Sequence, residues 1–113
     1  MQVIFESRDP QALRMRDFAM RRVRFAMRRM TWLVPRAKVH LSDVNGPRGG
    51  VDKRCQIELK THVGGTVHIT AMARDWRSAI DSAVSRAARV LIQAWRRSHI
   101  SLRKQPLTVA LDG

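Results

Sequence analysis

The stretch KRCQIELKTHVGGTVHITAMARDWRSAI, residues 53–80, contains two segments in which apolar and polar residues alternate, separated by a pair of glycines. Alternation with a period of two predicts strands with one buried face, and Gly64 and Gly65 mark a hairpin turn between them. The residues expected to face inward are Cys55, Ile57, Leu59, Val67, Ile69 and Ala71. The stretch therefore predicts an antiparallel hairpin that needs a cover on its apolar face.

The end of the same stretch begins a helix that can supply this cover. Asp75 is a capping residue type, Ser78 follows three positions later, and helical apolar spacing continues to about Ser98. The predicted apolar stripe consists of Trp76, Ile80, Ala83, Ala87, Leu91 and Trp95. We interpret the tryptophans of this stripe, together with Trp32, as core or edge packing residues.

Residues before the hairpin predict a strand, a helix and another strand. Residues 2–7 form a short strand, and Asp9 can cap a helix that has Pro10 at its first position. We expect this helix to run to about Trp32. Its apolar stripe consists of Ala12, Met15, Ala19, Val23, Ala26, Met27 and Met30. Residues 37–42 then alternate again, which completes a meander of three strands.

These elements give the order β-α-β-β-β-α and an α+β fold. Both amphipathic helices have to cover one face of a four-stranded sheet, as in double-stranded RNA-binding folds. We expect one RNA-binding domain over residues 1–100. Residues 101–113 form a C-terminal tail that could add an edge strand, bind a partner or remain loose.

Basic residues dominate the charge of the chain. Its 22 Lys and Arg residues against 9 Asp and Glu residues give a formal net charge of +13. An excess of this size repels itself unless an anionic partner neutralises it, and most of these side chains are arginines, whose planar guanidinium suits phosphate contacts. Nucleic acid is therefore the expected partner. A membrane surface would also attract this charge, but it needs a helix with bulky apolar residues that is free to lie in the interface, and the tryptophans are expected to pack within the fold. No apolar segment approaches the roughly 20 residues of a membrane span, so we expect no membrane partner.

The first ten residues do not resemble a secretory signal, and a single cysteine suits a reducing compartment. We therefore expect a cytoplasmic protein that is a monomer when free.

Residue types that carry chemistry are scattered along the chain. The four histidines, His40, His62, His68 and His99, lack metal-ligand spacing, and Cys55 alternates with core residues. No serine lies in a nucleophile elbow, and no carboxylate pair suits acid and base catalysis. We therefore expect no catalytic residue, no metal, no cofactor and no small-molecule substrate, so the chain is not predicted to be an enzyme.

The segment from Asp43 to Lys53 is rich in turn-forming residues and predicts a loop. Its glycines lack the Gly-Lys-Ser/Thr ending of a phosphate-binding P-loop, so nucleotide binding is a weak match. Two interpretations stay open, a structured turn or a basic loop in which Arg48 and Lys53 touch RNA.

Arginines on the two predicted helices carry the strongest functional signal. Solvated helix faces normally mix charges of both signs, whereas the first helix has only Asp17 among its arginines and the second has no acid between Asp81 and Ser98. Two such faces side by side would form a continuous positive surface. The RNA-binding residues that we expect are Arg22, Arg28, Arg29, Arg48, Lys53, Arg86, Arg89, Arg96 and Arg97.

The predicted strand order and the stretch DWRSAID, residues 75–81, followed by Arg86 and Arg89, resemble the ribosome hibernation-promoting factor family. Its members are also called ribosome-associated inhibitors or sigma-factor modulation proteins. The resemblance covers about residues 2–98. The connection over residues 43–53 and the adjoining Cys55 look like a variant branch.

The resemblance implies a protein that enters the small ribosomal subunit between head and body and contacts 16S-type rRNA with basic side chains of both helices. It would occlude the paths of messenger and transfer RNA in resting or stressed bacteria, without chemistry. Arg86 and Arg89 match the family pattern best, with Arg22, Arg29, Arg96 and Arg97 as extensions. Long members carry a further C-terminal domain that pairs ribosomes, and this chain resembles the short form.

Two alternatives to a ribosome-docking inhibitor stay open at this point. A general double-stranded RNA-binding protein would bind any duplex with a steep salt dependence. A regulator of transcription that binds a protein partner would show little loss of binding in salt.

Overall fold

A computed structural model of the chain describes residues 1–44 and 50–112, with side chains described for residues 1–44 and 50–98. The elements follow the order β-α-α-β-β-β-α. The strands are β1 Gln2–Ser7, β2 Arg36–Asp43, β3 Lys53–Lys60 and β4 Thr66–Ala73, and the helices are α1 Pro10–Leu13, α2 Arg16–Ala26 and α3 Trp76–Asp112.

The strands within the described residues form one mixed sheet in the order β1-β2-β3-β4. β1 pairs with β2 in parallel, and β3 is antiparallel to both β2 and β4. Gly64 and Gly65 make the hairpin turn with positive φ angles of 96° and 77°, which glycine adopts without a Cβ penalty. The register places Val39 opposite Ile57. The predicted meander and its apolar face are therefore confirmed.

The longer helices cover this apolar face together, as predicted. α3 packs over β3 and β4, while α2 packs on β1 and beside α3. Buried helix residues that are at most 1% exposed are Ala19, Val23, Ala79, Ile80, Ala83, Val84, Ala87 and Leu91. Removal of this apolar area from water is the main favourable term in folding, at about 25 cal/mol per Å².

Two aspartates begin the helices where the sequence predicted them. Asp9 Oδ1 accepts hydrogen bonds from the backbone N–H groups of Gln11 at 2.8 Å and Ala12 at 3.4 Å. Asp75 Oδ2 accepts a hydrogen bond from the Ser78 N–H at 2.9 Å, and this bond holds the pKa of Asp75 below its ordinary value. Each cap satisfies backbone donors that the helix leaves unpaired.

The predicted single helix from residue 10 to Trp32 is wrong in its continuity, because α1 and α2 are separated at Arg14 and Met15. The backbone N–H groups of these two residues donate to carbonyls three positions back, at 3.2 and 2.9 Å. Such bonds tighten the chain relative to an α-helix. Ala12 and Ala19 are both buried on either side of the break, so apolar spacing continues through it and does not reveal it.

The same helix also ends earlier than predicted, at Ala26. Tight turns follow, in which the Met27 carbonyl accepts from the Met30 N–H at 2.8 Å and the Met30 carbonyl from the Leu33 N–H at 2.9 Å. These turns bring Leu33 and Val34 to positions 1% and 0% exposed, directly ahead of β2. Burial of these two side chains lowers the free energy of the fold, and this stabilisation would be lost if the helix continued.

The backbone of α3 continues past the predicted end near Ser98 to Asp112. Residues 101–112 are therefore helical, and the edge-strand interpretation of the tail is wrong. The first residue after Ser98 that disfavours a helix is Pro106. The assignment of RNA binding to residues 1–100 stays a prediction. None of the helices in the described part of the chain is long and apolar enough to cross a membrane.

We expect Ile80→Asp to abolish folding, whereas Ser85→Asp, the same charge change on the exposed side of α3, leaves it intact. Ile80 is 0% exposed, and burial of an unpaired carboxylate costs several kcal/mol, a large part of a total stability of about 5–15 kcal/mol. Circular dichroism during thermal unfolding measures both variants. If Ile80→Asp unfolded cooperatively at the same midpoint temperature as the wild type, this would contradict the burial of Ile80 in the core.

Candidate nucleic-acid interface

α2 and α3 meet along a seam of side-chain contacts. The guanidinium carbon of Arg77 on α3 lies 4.7 Å from the centre of the Phe18 ring on α2. Four residues further along each helix, Arg22 Nε donates to Asp81 Oδ1 at 2.8 Å. Because these contacts advance in the same direction along both helices, the helices run side by side and in parallel. Their outer faces therefore form one surface.

The acidic residues of this surface are engaged by neighbouring arginines. Asp81 accepts from Arg22, and Asp17 Oδ1 lies 3.7 Å from Arg16 Nη1. Eight exposed arginines on α2, on the turn after it and on α3 beyond Asp81 have no acidic partner among the described side chains: Arg21, Arg24, Arg28, Arg29, Arg86, Arg89, Arg96 and Arg97. We call these eight residues the arginine surface.

The four predicted residues on α3 all belong to the arginine surface. Arg86 Nη1 donates to the Thr70 carbonyl at 3.2 Å, which holds the side chain at the β4 edge of the sheet. Arg89 and Arg96 are seven residues apart, so they lie on the same side of the helix about 10 Å apart along its axis. Arg97 is exposed one position later. α3 therefore presents a row of guanidinium groups to solvent.

Arg28 and Arg29 lie in the turn after α2, not on a helix as predicted. Arg28 Nη1 donates to the Phe25 carbonyl at 2.8 Å, and its guanidinium carbon lies 4.1 Å from the Phe25 ring centre. Both arginines, together with Arg96 of α3, line a groove. The apolar lining of that groove consists of Ala26, Met30, Trp32, Ile92 and Trp95.

Trp32 is not the core or edge packing residue that the sequence indicated. Its side chain is 62% exposed, its Nε1 donates to the Arg29 carbonyl at 3.2 Å, and its ring meets Trp95 edge to face with centroids 6.4 Å apart. Trp95 is half-buried and Trp76 is buried. The prediction holds for Trp76 in the core and Trp95 at its edge. It fails for Trp32, because the turns after α2 carry that side chain outward.

The other predicted residues do not join the arginine surface in the same way. Arg22 lies in the seam, with 36% of its side chain exposed. Arg48 lies outside the described residues. Arg21 and Arg24 are exposed members that we did not predict, although both fall opposite the apolar stripe of α2.

Lys53 is held by two carboxylates at the start of β3. Its Nζ lies 2.8 Å from Asp43 Oδ2 and 3.3 Å from Asp52 Oδ1, and only 16% of its side chain is exposed. The hydrogen bond to Asp43 is the main reason that the pKa of Lys53 is raised. The positive charge is therefore offset locally, near Trp76 at the N-terminal end of α3 and far from the groove.

Residues 13–98 match the family described as Sigma 54 modulation protein / S30EA ribosomal protein. The chain belongs to this family. The family resemblance deduced from residues 75–81 and the strand order is thereby confirmed.

Solved structures related to this S30EA-family chain share its fold. A ribosomal subunit interface protein from Coxiella burnetii has a TM-score of 0.63 at 13% sequence identity, covering 82% of this chain and 96% of that one. The Protein Y N-terminal domain of Thermus thermophilus has a TM-score of 0.58 at 25% identity, covering 85% and 98%. No curated protein sequence matches this chain.

The open face of the S30EA-family sheet differs from the helical face in charge. Lys38 Nζ lies 3.5 Å from Glu6 Oε2, and His68 Nδ1 lies 3.9 Å from Glu58 Oε2. His40 Nδ1 lies 3.3 Å from Gln56 Oε1, its cross-strand neighbour. No cluster of three or more His, Cys, Asp or Glu side chains suited to a metal ion occurs in the described part of the chain. Charges of both signs are therefore paired on this face, whereas the arginine surface has no acidic partner among the described side chains.

Cys55 is expected to be unreactive in the folded protein. It is 0% exposed, and burial raises its pKa to about 12, so at pH 8 only about one thiol in ten thousand is ionised. A disulfide reagent such as Ellman's should react at a negligible rate in buffer and rapidly in guanidinium chloride. Fast stoichiometric reaction of the folded protein would contradict this burial.

Proposed function

We propose that this chain binds the rRNA of the small ribosomal subunit through the arginine surface and inhibits translation by occluding the paths of messenger and transfer RNA. The observation that carries the proposal is the separation of charge. The eight exposed arginines of this surface, on α2, on the turn after it and on α3, have no acidic partner among the described side chains, whereas the open sheet face mixes both signs. Family membership supports association with the ribosome.

Phosphate contact is the chemistry that such a surface supplies. A guanidinium binds two phosphate oxygens at once with a fixed geometry, and each neutralised phosphate releases counterions. Parallel helices side by side offer several such groups at fixed separations. The arginine surface is therefore suited to the backbone of folded RNA, which it would recognise by shape and charge more than by base sequence.

Occlusion requires only that the folded protein occupy the paths of messenger and transfer RNA. Our proposal therefore has no catalytic residue, cofactor or small-molecule substrate. The primary contacts are Arg86 and Arg89, with Arg28, Arg29, Arg96 and Arg97 as further contacts. Arg22 contributes only the guanidinium nitrogens that Asp81 leaves available, and Lys53 contributes little because Asp43 and Asp52 offset its charge. Under the proposal the protein is a monomer before it binds the ribosome, and it acts in the cytoplasm of resting or stressed bacteria.

Sucrose-gradient sedimentation with purified small subunits tests the proposal. Binding should saturate at one protein per subunit and should be lost when messenger and initiator transfer RNA are already bound. Parallel runs at two salt concentrations measure the phosphate contribution. Binding that never saturates and disappears at modest salt would instead indicate a general double-stranded RNA-binding protein, and salt-insensitive capture of a protein partner would indicate a regulator of transcription.

Charge reversal at Arg86→Glu with Arg89→Glu should weaken subunit binding by about a hundredfold or more, because two charge-assisted hydrogen bonds are lost and repulsion is added. The slope of log affinity against log salt should become shallower by about two. The matched control is Arg36→Glu with Lys60→Glu, which makes the same charge change at an exposed cross-strand pair.

The control variant should bind nearly as well as the wild type, because its substitutions lie on the sheet. Equal losses in the two double variants would mean that net charge alone drives binding. Unchanged sedimentation of the folded Arg86 and Arg89 variant would overturn the assignment of the arginine surface.

A further inference from the structure

We propose that the groove between the end of α2 and α3 binds one unpaired nucleotide of RNA, with its base stacked on Trp32 and its neighbouring phosphates held by Arg28, Arg29 and Arg96. This inference rests on the proposed function for the class of partner and adds a base-stacking contact to it. We call the site, lined by Trp32, Trp95, Ile92, Met30 and Ala26 with these three arginines, the aromatic groove.

Trp32 is a preorganised stacking platform. The residue is 62% exposed, yet the hydrogen bond from Nε1 to the Arg29 carbonyl at 3.2 Å fixes the direction of the ring. The planes of Trp32 and Trp95 are inclined by 83°, so the pair is not stacked face to face. Proteins that bind single strands stack bases on aromatic side chains. Trp32 offers such a ring, because its orientation is fixed and Trp95 does not stack on it face to face.

The arginines of the aromatic groove complete a nucleotide site. Arg28 is held by its contact with the Phe25 carbonyl and ring, and Arg29 and Arg96 are exposed beside the same apolar lining. None of the three has a carboxylate partner in the part of the chain whose side chains are described. A flat apolar surface with cations at its rim matches a base and its phosphates.

Other occupants fit the aromatic groove less well. A second copy of the chain would bring another charge of +13 against this one. A lipid surface needs an apolar face that runs along a helix, whereas here the apolar residues are confined between arginines. A paired base cannot stack on Trp32, because both of its faces are already covered within the duplex.

Fluorescence anisotropy with a labelled short single-stranded RNA and a duplex of the same phosphate content tests the inference on the full chain. Trp32→Ala should weaken single-strand binding about tenfold and leave duplex binding unchanged. Trp32→Phe should restore most of the affinity, because it keeps an aromatic face. Leu13→Ala, which removes another exposed apolar side chain outside the groove, should behave like the wild type.

Salt and an abasic probe separate stacking from charge. The loss caused by Trp32→Ala should keep the same ratio at two salt concentrations, since no phosphate contact is removed. An RNA of the same length in which every nucleotide lacks its base should bind the wild type and Trp32→Ala equally. Circular dichroism checks that every variant is folded, and the exposure of Trp32 makes loss of folding unexpected.

The outcomes distinguish this inference from the proposed function. If Trp32→Ala binds single strands like the wild type while the Arg86 and Arg89 variant still loses subunit binding, the aromatic groove is overturned and the proposed function stands. If the wild type binds no subunits, the proposed function fails, and a tenfold single-strand defect of Trp32→Ala would still support the groove. Loss of anionic-vesicle binding in Trp32→Ala, without any change in RNA binding, would overturn the groove in favour of lipid.

Discussion

Burial of one apolar sheet face beneath two helices is the constraint on which the rest of the structure depends. Inward side chains such as Val39, Leu41 and Leu59 have to be removed from water, and they all lie on the same side of the sheet. Both helices must therefore lie on that side and against each other. Every arginine opposite an apolar stripe is then directed to the same region of solvent, so the arginine surface is a consequence of how the core is closed.

The same closure decides where the acidic residues go. Asp9 and Asp75 cap helices, Asp81 joins the helices through Arg22, Glu6 lies near Lys38, and Glu58 is the cross-strand neighbour of Lys38 on the open sheet face. Each of these positions satisfies a local backbone donor or cation, and none leaves a free carboxylate among the outward arginines. Local stability and a strongly one-sided potential are therefore compatible, at the expense of self-repulsion that an anionic partner relieves.

Periodicity and capping were sufficient to predict the strands, the meander and the starts of α1 and α3, because these features depend on neighbours in sequence. The break at Arg14 and Met15 was not predictable, since apolar spacing continues through it. Contacts between distant residues, such as Arg22 with Asp81 and Trp32 with Trp95, leave no trace in a local pattern. For the site, sequence indicated the arginines of α3 correctly as exposed, but it could not show that Trp32 turns outward beside them.

The arginine surface and the aromatic groove would supply different parts of recognition. Attraction between charges acts over roughly 8 Å at physiological salt and depends weakly on orientation, so it favours encounter and supplies affinity. Stacking on an indole acts only at contact and only with a base that is free of its own stack. A surface with charge alone could slide along any phosphate backbone, whereas one fixed stacking point defines a register. Because Arg28, Arg29 and Arg96 border Trp32, charge attraction and base stacking would act on the same nucleotide.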